Sequence, residues 1–485
     1  MTRMLCSALV FGMLIALVAV AGEPVGWRTY NAGKYPDADP PTKWSADANV
    51  VWKCPMPSWS NASPVVLADR IFVCSEKTEL VCVNKADGAI MWKHANDYDM
   101  IMNDEEKAQA QKDNAEVDRI RKEEIAPIQK QLRQAEDQRR KLQPPKPSAA
   151  ATRAASASVP APLTDEQKAE ISALNQKIRG LGKELAAAQD KLAPFSKWVM
   201  PATEGSNGHS SATPVSDGKV VAAVFNNGLT VCYDIDGNLK WARFIDKPQH
   251  KQYGSSTSPL IFQDKLLVHF KDMVALDLAT GKELWRAPDT TWTWGTPILV
   301  RVGKLDLAVT GHGDIIRLSD GKVLAKKLCH LDYNSPTVDG DVVYFIQRNG
   351  KAVKLVPKGD DDIEVQTLWS TKPMDDRYYA SPLALDGLIY DITQARQVCA
   401  IDAATGEVAA EKKLDVGKKT VYTSFTLAGK YLFISNEDGT TVVLEPGKEF
   451  KEVATNTLEP FRCTPVFEGK RMYIRGYKNL YCIGQ

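Results

Sequence analysis

Short apolar segments separated by glycine-containing turns fill most of the chain, and one arrangement of them recurs. Each copy opens with a Ser or Thr before an apolar stretch and passes through an Asp-Gly or Gly-Lys turn into a second apolar segment. An Ala-Leu-Asp-like triplet, a Thr-Gly or Asp-Gly turn and often a Trp complete it. The clearest copy runs from Ser258 to Trp285. Short apolar segments bounded by turn residues predict β-strands joined by tight turns.

The first Ser or Thr of each copy, called here its anchor, occurs eight times. The anchors are Ser63, Thr213, Ser258, Thr296, Ser335, Ser381, Ser424 and Thr464. After the first gap, consecutive anchors are 38 to 46 residues apart. A period of about 40 residues with four short strands in each copy is typical of propeller blades. The sequence therefore predicts an all-β fold, an eight-bladed β-propeller.

Two further patterns indicate how the blades would join. The eighth copy ends at 481–485 without an outer strand, and residues 49–53 could supply one. We therefore expect the N- and C-terminal segments to close one blade, which leaves no open edge in the ring. Large rings at one outer-strand position are expected to wedge between neighbouring blades. The tryptophans at this position are Trp52, Trp92, Trp241, Trp285 and Trp369.

The first gap, 150 residues between Ser63 and Thr213, is far too long for one blade. Its excess is charged and rich in Ala and Gln, with apolar residues at three- and four-residue spacing in 104–143 and 165–192. A Pro-, Ala- and Ser-rich stretch at 144–163 separates these parts. The pattern predicts an antiparallel α-helical coiled-coil hairpin with a disordered linker. Its charged faces fit either simple solvation or an arm that contacts a partner.

The N-terminus has the pattern of an export signal. Leu9 to Val20 is an apolar run too short to span a bilayer, and the Ala-Val-Ala at 19–21 is a cleavage site. The nearby Cys6 precedes this run, so we expect no lipoprotein anchor. Cleavage after Ala21 predicts a periplasmic or secreted protein with no transmembrane span. The predicted domains are a signal peptide at 1–21, the N-terminal propeller part at 22–97, the helical insertion at 98–196 with its linker at 144–163, and blades 2–8 at 197–485.

Composition narrows the classes of function. The chain is 44% apolar and 25% charged with a formal net charge of +1, so nucleic acid is not an expected partner. None of the eight cysteines after the signal lies in a CxxC or CxxCH pattern, which argues against c-type haem and common zinc sites. Cys82, Cys232 and Cys482 fall at a small, buried strand position and are expected to be free thiols. A disulfide between Cys54 and Cys74 stays an alternative.

The residues just before the anchors would enter the innermost strands at the mouth of the central channel. Every copy has an aromatic residue or a His there. The candidate binding residues are Trp59, His209, Tyr253, Trp292, Trp294, Tyr333, Tyr378, Tyr379, Tyr422 and Arg462. These side chains fit two interpretations, a packed plug of the channel or a funnel that binds a peptide, polysaccharide or aromatic ligand. No GxSxG, P-loop or HExxH motif occurs, so we expect neither catalytic residues nor a metal site.

The repeat resembles a known family. Residues 275–285 and 400–407, with Ala-Leu-Asp or Ala-Ile-Asp before Thr-Gly, are similar to the PQQ-like (pyrroloquinoline quinone-like) propeller repeat. The resemblance covers roughly 24–93 and 198–485. Its quinoprotein dehydrogenase branch implies a PQQ cofactor, a vicinal Cys-Cys disulfide, a metal-binding Glu/Asn set and a catalytic Asp, whereas this chain has no Cys-Cys pair and shorter blades. Its BamB-like branch implies a periplasmic scaffold that assists outer-membrane β-barrel assembly through its loops.

These observations predict an exported, non-catalytic β-propeller that serves as a protein- or ligand-binding scaffold in the bacterial cell envelope, with outer-membrane protein assembly as a candidate role. The expected partner is a protein, a peptide or a polysaccharide, and the helical arm is a second candidate contact surface. Two alternatives stay open, a PQQ-dependent oxidoreductase (dehydrogenase) and a polysaccharide-binding propeller. On the scaffold interpretation no cofactor is expected; on the first alternative PQQ is the cofactor.

Overall fold

The structure is a computed structural model that describes residues 23–28, 32–142, 163–195, 197–201, 203, 205–247, 253–290 and 292–484. The predicted signal peptide lies outside the described residues, as does the linker at 144–163 apart from Leu163. The chain forms two compact units. One is Asp97–Ala202, and the segments before and after it together form the larger one. No helix in the part of the chain that the structure describes is both long and apolar enough to cross a membrane.

The described part of the larger unit consists of eight sheets, each with four antiparallel strands. They are numbered along the chain by their anchors. Sheet 1 contains Val65–Leu67, Arg70–Ser75, Glu79–Asn84 and Ile90–Ala95. Sheet 2 contains Val215–Ser216, Val220–Val224, Leu229–Asp234 and Leu239–Phe244. Sheet 3 contains Leu260–Phe262, Lys265–His269, Met273–Asp277 and Glu283–Ala287. Sheet 4 contains Ile298–Val302, Leu305–Val309, Ile315–Arg317 and Val323–Ala325.

The remaining sheets follow the same order, with an addition in sheet 7. Sheet 5 contains Thr337–Asp339, Val342–Phe345, Gly350–Lys358 and Asp362–Thr371. Sheet 6 contains Leu383–Leu385, Leu388–Ile392, Gln397–Asp402 and Val408–Lys413. Sheet 7 contains Thr426–Ala428, Tyr431–Ser435, Thr440–Leu444 and Glu452–Thr457, with Lys34–Tyr35 as a short parallel fifth strand. Sheet 8 contains Val466–Glu468, Arg471–Arg475, Asn479–Gly484 and, at its outer edge, Val50–Pro55.

The pairing within sheet 8 confirms the predicted closure. The N-terminal strand Val50–Pro55 runs antiparallel to Asn479–Gly484, and Trp52 lies opposite Cys482. This pairing joins the two ends of the repeat array within one sheet, so sheet 8 has the same four-stranded form as the others. The pairing also satisfies backbone groups that an unpaired outer edge would expose.

The middle strands of the sheets form the core. Each sheet packs against a neighbour on both faces, and side chains such as Val81 and Cys82 are fully buried. The eight cysteines in the described residues are free, and Cys54 and Cys74 form no disulfide. Burial raises the pKa of Cys82 and Cys482 to about 11, which keeps these thiols protonated at neutral pH. The prediction that they act as compact apolar groups is confirmed.

A circuit of hydrogen bonds joins the first strands of successive sheets. The backbone N–H of one anchor donates to the hydroxyl oxygen of the next anchor over 2.9–3.2 Å. These bonds run from Ser63 to Thr213, Ser258 and Thr296, and from Ser335 to Ser381, Ser424, Thr464 and back to Ser63. Between sheets 4 and 5 a close approach takes the place of this bond, because a Cβ added to Gly295 would lie 2.2 Å from the Asn334 carbonyl oxygen. The sheets thus form a closed ring around a central channel, which is the arrangement of a β-propeller.

The tryptophans of the outermost strands confirm the predicted wedges between blades. Each indole N–H donates over 2.9–3.1 Å to a backbone carbonyl in a turn of the next sheet. In the same turn a Gly with positive φ lies under the ring, as Gly281 does under Trp241. The pairs of Trp and carbonyl are Trp52–Lys85, Trp92–Ile235, Trp241–Leu278, Trp285–Leu318 and Trp369–Ala403. Each contact therefore combines ring packing with a hydrogen bond across the blade boundary.

The smaller unit contains a helical hairpin. Its first limb comprises Asp104–Ile120, a π-helical turn at Arg121–Ile125 and Ala126–Leu142, its second limb is Asp165–Asp190, and short 3-10 turns lie at Tyr98–Met100 and Ala193–Phe195. The limbs run antiparallel, because Arg139 donates to Asn175 over 3.1 Å while Lys191 pairs with Glu124 at 2.6 Å. Leu174, Leu181 and Ala188 of the second limb are buried, and Ala188 packs with Ile120 and Ile125 of the first. The coiled-coil character of this packing stays a prediction.

Local chemistry accounts for the ends and the irregularity of these limbs. The second limb begins with a capping box, in which Thr164 and Gln167 exchange side-chain-to-backbone hydrogen bonds. In the first limb Pro127 does not end the helix. Proline lacks an N–H, and its ring clashes with the carbonyl four residues earlier in a regular α-helix. The wider turn at Arg121–Ile125 directly precedes it and accommodates this conflict.

Candidate binding site in the central channel

The channel contains a cavity of about 570 Å³. Its wall has two layers, built by the segments that lead into the first strands. The eight anchors form the inner layer. The outer layer consists of the residue two positions before each anchor, namely Asn61, Ser211, Ser256, Trp294, Tyr333, Tyr379, Tyr422 and Arg462. Side chains two residues apart in an extended chain point to the same side, so both layers face the channel.

The outer layer is asymmetric. From sheet 4 to sheet 7 it consists of Trp294, Tyr333, Tyr379 and Tyr422, called here the aromatic arc. Successive ring centroids lie 5.2, 4.7 and 4.8 Å apart, which is the distance of direct ring contact. Arg462 of sheet 8 continues the arc, with its guanidinium carbon 4.3 Å from the centre of the Tyr422 ring. One half of the wall therefore consists of aromatic rings with a basic side chain at one end.

The other half of the wall carries small hydrogen-bonding groups. The Asn61 side-chain amide donates to Ser211 Oγ over 3.0 Å. The amide of Asn207, from the loop above, donates to the Tyr253 carbonyl over 2.6 Å. The exposed Tyr253 ring stands beside the arc, 6.5 Å from Trp294 between centroids. A ligand in the cavity would thus meet rings on one side and amide and hydroxyl groups on the other.

Among the described residues, the side chains of Arg377 and Arg462 line the cavity and no carboxylate does. The Arg462 guanidinium pairs with Glu437, Nε lying 3.0 Å from Oε1, so its charge is largely compensated. Arg377 is exposed and forms no ion pair within the described ranges, and a hydrogen bond to Tyr379 raises its pKa. The described residues that line the cavity include no Asp, Glu, His, Lys or Cys. The electrostatic environment therefore favours an anionic group.

This lining does not fit the cofactor site that the dehydrogenase branch implies. Such a site needs carboxylates, one to hold a metal ion and one to accept a proton. The described lining residues provide none. Among all described residues, no group of three His, Cys, Asp or Glu side chains could hold a metal ion. What the wall can do is stack rings, donate hydrogen bonds and attract negative charge.

Most of the predicted site residues lie on the cavity wall. They are Tyr253, Trp294, Tyr333, Tyr379, Tyr422 and Arg462. The other four are not among the residues that line the cavity. Tyr378 lies an odd number of residues before its anchor, so it faces away from the channel and is 1% exposed. Trp59, His209 and Trp292 lie four residues before their anchors, one step further from the inner layer, and do not line the cavity. Ligand binding by the residues on the wall stays a prediction.

Each of these three side chains contacts a neighbouring side chain of the ring. The Trp59 ring contacts Tyr477 at 6.1 Å, and Trp292 contacts Trp294 at 4.8 Å. His209 belongs to a buried cluster around the Glu76 carboxylate. That carboxylate accepts hydrogen bonds from the backbone N–H groups of His209 and Ser210, both over 2.7 Å. The cluster fixes the segment that leads into sheet 2.

A segment near the N-terminus crosses the opposite end of the channel. This strap consists of residues 23–28 and 32–35. It begins beside sheet 2, where Val25 pairs with Ser216 at the far end of the first strand. It ends beside sheet 7 as the parallel strand Lys34–Tyr35. Both contacts lie away from the anchors, so the strap runs across the end of the channel that is remote from the aromatic arc.

Arg28 ties the middle of the strap to the ring. It is buried, and its Nη2 donates to the carbonyls of Pro382 and Phe425 over 3.2 and 2.8 Å. Burial lowers the pKa of Arg28 to about 10, so it stays charged at neutral pH, and burial raises the pKa of the nearby Asp391. The neighbouring Trp27 contributes to the cavity wall from this side. The strap therefore gives the cavity a floor, and the ring of residues two positions before the anchors is its mouth.

Comparisons with known proteins agree with the repeat. A family model described as outer membrane protein assembly factor BamB matches residues 269–444. Outer membrane protein assembly factor BamB of Yersinia pestis is 25% identical over 187 residues, which are 36% of this chain and 46% of that protein. The chain thus spans about half the length of this relative.

Two solved structures show a distant similarity to this chain. BamB from Moraxella catarrhalis is 15% identical with a TM-score of 0.44, over 55% of this chain and 80% of that one. A europium-containing methanol dehydrogenase is 12% identical with a TM-score of 0.49, over 93% of this chain and 89% of that one. The repeat, the family model and the Yersinia relative together support a PQQ-like repeat protein that resembles BamB.

Proposed function

We propose that this protein is a non-catalytic binding scaffold of the bacterial cell envelope and that the mouth of its cavity is the binding surface. The asymmetric outer layer carries the proposal. A merely structural channel could be packed shut by its rings, whereas here the arc borders about 570 Å³ of space. A concave, largely aromatic wall with a few convergent polar groups is the usual form of a ligand site.

The absence of catalysis is part of the proposal. The lining described above offers no acid, base or nucleophile pair for a reaction. Titration with PQQ and Ca²⁺, followed by quinone absorbance and alcohol- or sugar-dependent dye reduction, tests this point. We expect no turnover. Tight PQQ binding with dye reduction would replace the scaffold by an oxidoreductase.

The envelope location and the partner class come from the resemblance. The matched family and the Yersinia relative are both described as outer membrane protein assembly factors. We infer export through the predicted signal peptide at 1–21 and a role among envelope assembly or surface components. The helical hairpin in Asp97–Ala202 is a second surface through which a protein partner could bind.

Site-specific photocrosslinking in cells tests which surface binds. A photoreactive benzoylphenylalanine replaces Tyr379 at the mouth or, as a control in the same sheet, Val408 on the outer strand, which is 37% exposed. We expect an adduct, protein or glycan, from position 379 and none from position 408. An adduct of equal yield at both positions, or none at 379, contradicts the proposal. The same experiment without residues 98–196 shows whether the arm is required for that adduct.

A further inference from the structure

The inner layer of the cavity is a ring of hydroxyl donors. Each anchor hydroxyl that takes part in the circuit accepts one backbone N–H, and none donates its own hydrogen to another group in the described residues. Ser335 differs from the other anchors, because its buried Oγ neither donates nor accepts a hydrogen bond among the described residues. A hydroxyl group has one hydrogen to donate. The ring therefore presents a set of unused O–H donors around the channel axis.

A buried polar atom without a partner is costly unless water or a ligand satisfies it. Besides Ser335 Oγ, the side-chain oxygen of Asn61 is buried without a partner in the part of the chain that is described. Both residues line the cavity, on its arc side and its polar side respectively. The cavity thus has an unmet donor, an unmet acceptor and the exposed cation of Arg377. A ligand that satisfies all three needs hydroxyl groups and a negative charge.

The geometry points to an acidic saccharide, a short uronic-acid oligosaccharide, as the ligand class of this site. The C–H face of a sugar ring is weakly positive and packs on the negative face of an aromatic ring, which the arc provides. Sugar hydroxyls both donate and accept, so they match Asn61 and the anchor hydroxyls. A carboxylate on the sugar would pair with Arg377. This inference rests on the proposed function, because it names the ligand of the same mouth.

The strap favours such a short ligand over a polypeptide chain. It crosses the end of the channel remote from the arc, with Arg28 hydrogen-bonded to Pro382 and Phe425. An extended peptide could not thread through the ring, and its own N–H and C=O groups would need partners inside the cavity. A saccharide of a few units enters and leaves by the mouth alone. An acidic peptide is the competing ligand that the experiment includes.

Isothermal titration calorimetry of residues 22–485 with trigalacturonate tests the inference. Its methyl ester has the same rings without the charge, so it is the matched neutral probe. We expect the ester to bind at least about tenfold more weakly, which is the usual effect of losing a charge-assisted hydrogen bond. Arg377→Gln should weaken trigalacturonate to a similar extent and the ester very little. Arg301→Gln, at an exposed arginine that pairs with Asp306 and does not line the cavity, is the control and should bind as the wild type does.

Four results would overturn the inference. Equal binding of acid and ester removes the role of the charge, and an unchanged affinity in Arg377→Gln removes the assigned cation. Tighter binding of an acidic peptide, abolished by Arg377→Gln, would make a polypeptide the ligand. If trigalacturonate does not bind while position 379 still crosslinks in cells, the ligand class is wrong and the binding surface stands. If trigalacturonate does not bind and position 379 does not crosslink, the proposed function is refuted as well.

Discussion

Gly281→Ala probes the contacts that hold neighbouring blades together. Gly281 has φ of +69°, and an added Cβ would lie 2.6 Å from Cδ2 and Cε3 of the Trp241 indole. That ring is buried, and its N–H donates to Leu278 over 2.9 Å, so it cannot shift without weakening this bond. The substitution therefore strains the backbone and forces the ring from its place. Both effects lower the free energy of unfolding.

The expected loss in the free energy of unfolding is the sum of these two effects. A side chain in the left-handed region costs about 1–2 kcal/mol. Forcing an extra carbon into a packed contact costs about 1–3 kcal/mol more. Gly387 isolates the first effect, because its φ is +75° and nothing lies within 4 Å of an added Cβ. Gly387→Ala should therefore cost only about 1–2 kcal/mol, and Gly281→Ala about 2–5 kcal/mol.

Urea unfolding followed by far-UV circular dichroism measures both variants without relying on tryptophan fluorescence. The quantity of interest is the difference between them, which we expect to be at least about 1 kcal/mol. If the unfolding slopes match that of the wild type, the midpoints report stability directly. If both variants lose the same free energy of unfolding, the contact between Gly281 and the indole adds nothing to the cost of the strained turn, and the prediction is wrong.

Two other predictions concern buried ionisable side chains. Burial lowers the pKa of His269 from 6.5 to about 4, so the unfolded chain binds the proton first as the pH falls. The free energy of unfolding should therefore decline by about 3 kcal/mol between those two pH values, and His269→Leu should flatten the decline in urea titrations across that window. Arg28→Met removes the hydrogen bonds to Pro382 and Phe425, so hydrogen exchange of residues 23–35 should accelerate about tenfold or more while the core of sheet 4 exchanges as before. Unchanged exchange at the strap would mean that Arg28 does not hold it.

The repeat could be predicted from the sequence because each copy carries its own local signals. Anchor spacing gave the number of sheets, and the missing outer strand of the eighth copy identified its partner, as Trp52 opposite Cys482 confirms. The positions of the tryptophans predicted the wedges, because their spacing from a turn glycine is local. The irregular turn before Pro127 shows the limit of such signals. A proline predicts a conflict in a helix but not which backbone change relieves it.

The candidate site could be predicted only in part. Aromatic residues before the anchors marked the mouth, but strand alternation decides which of them face it. The sequence alone could have shown that the residue two positions before each anchor faces the channel. Applied to every copy, this rule excludes Tyr378 and adds Asn61 and Ser211. The strap gave no such signal. Arg28 bonds to residues 354 and 397 positions away, and no local pattern encodes a contact of that range.

A crystal structure of residues 22–485 grown with trigalacturonate would show directly whether the cavity is the saccharide-binding site. We expect electron density for the saccharide inside the cavity. One sugar face should pack on the aromatic arc, and a carboxylate should lie within hydrogen-bond distance of Arg377. Density at another surface, or a cavity without saccharide at a concentration that saturates binding in solution, would contradict the assignment of the cavity as the binding site.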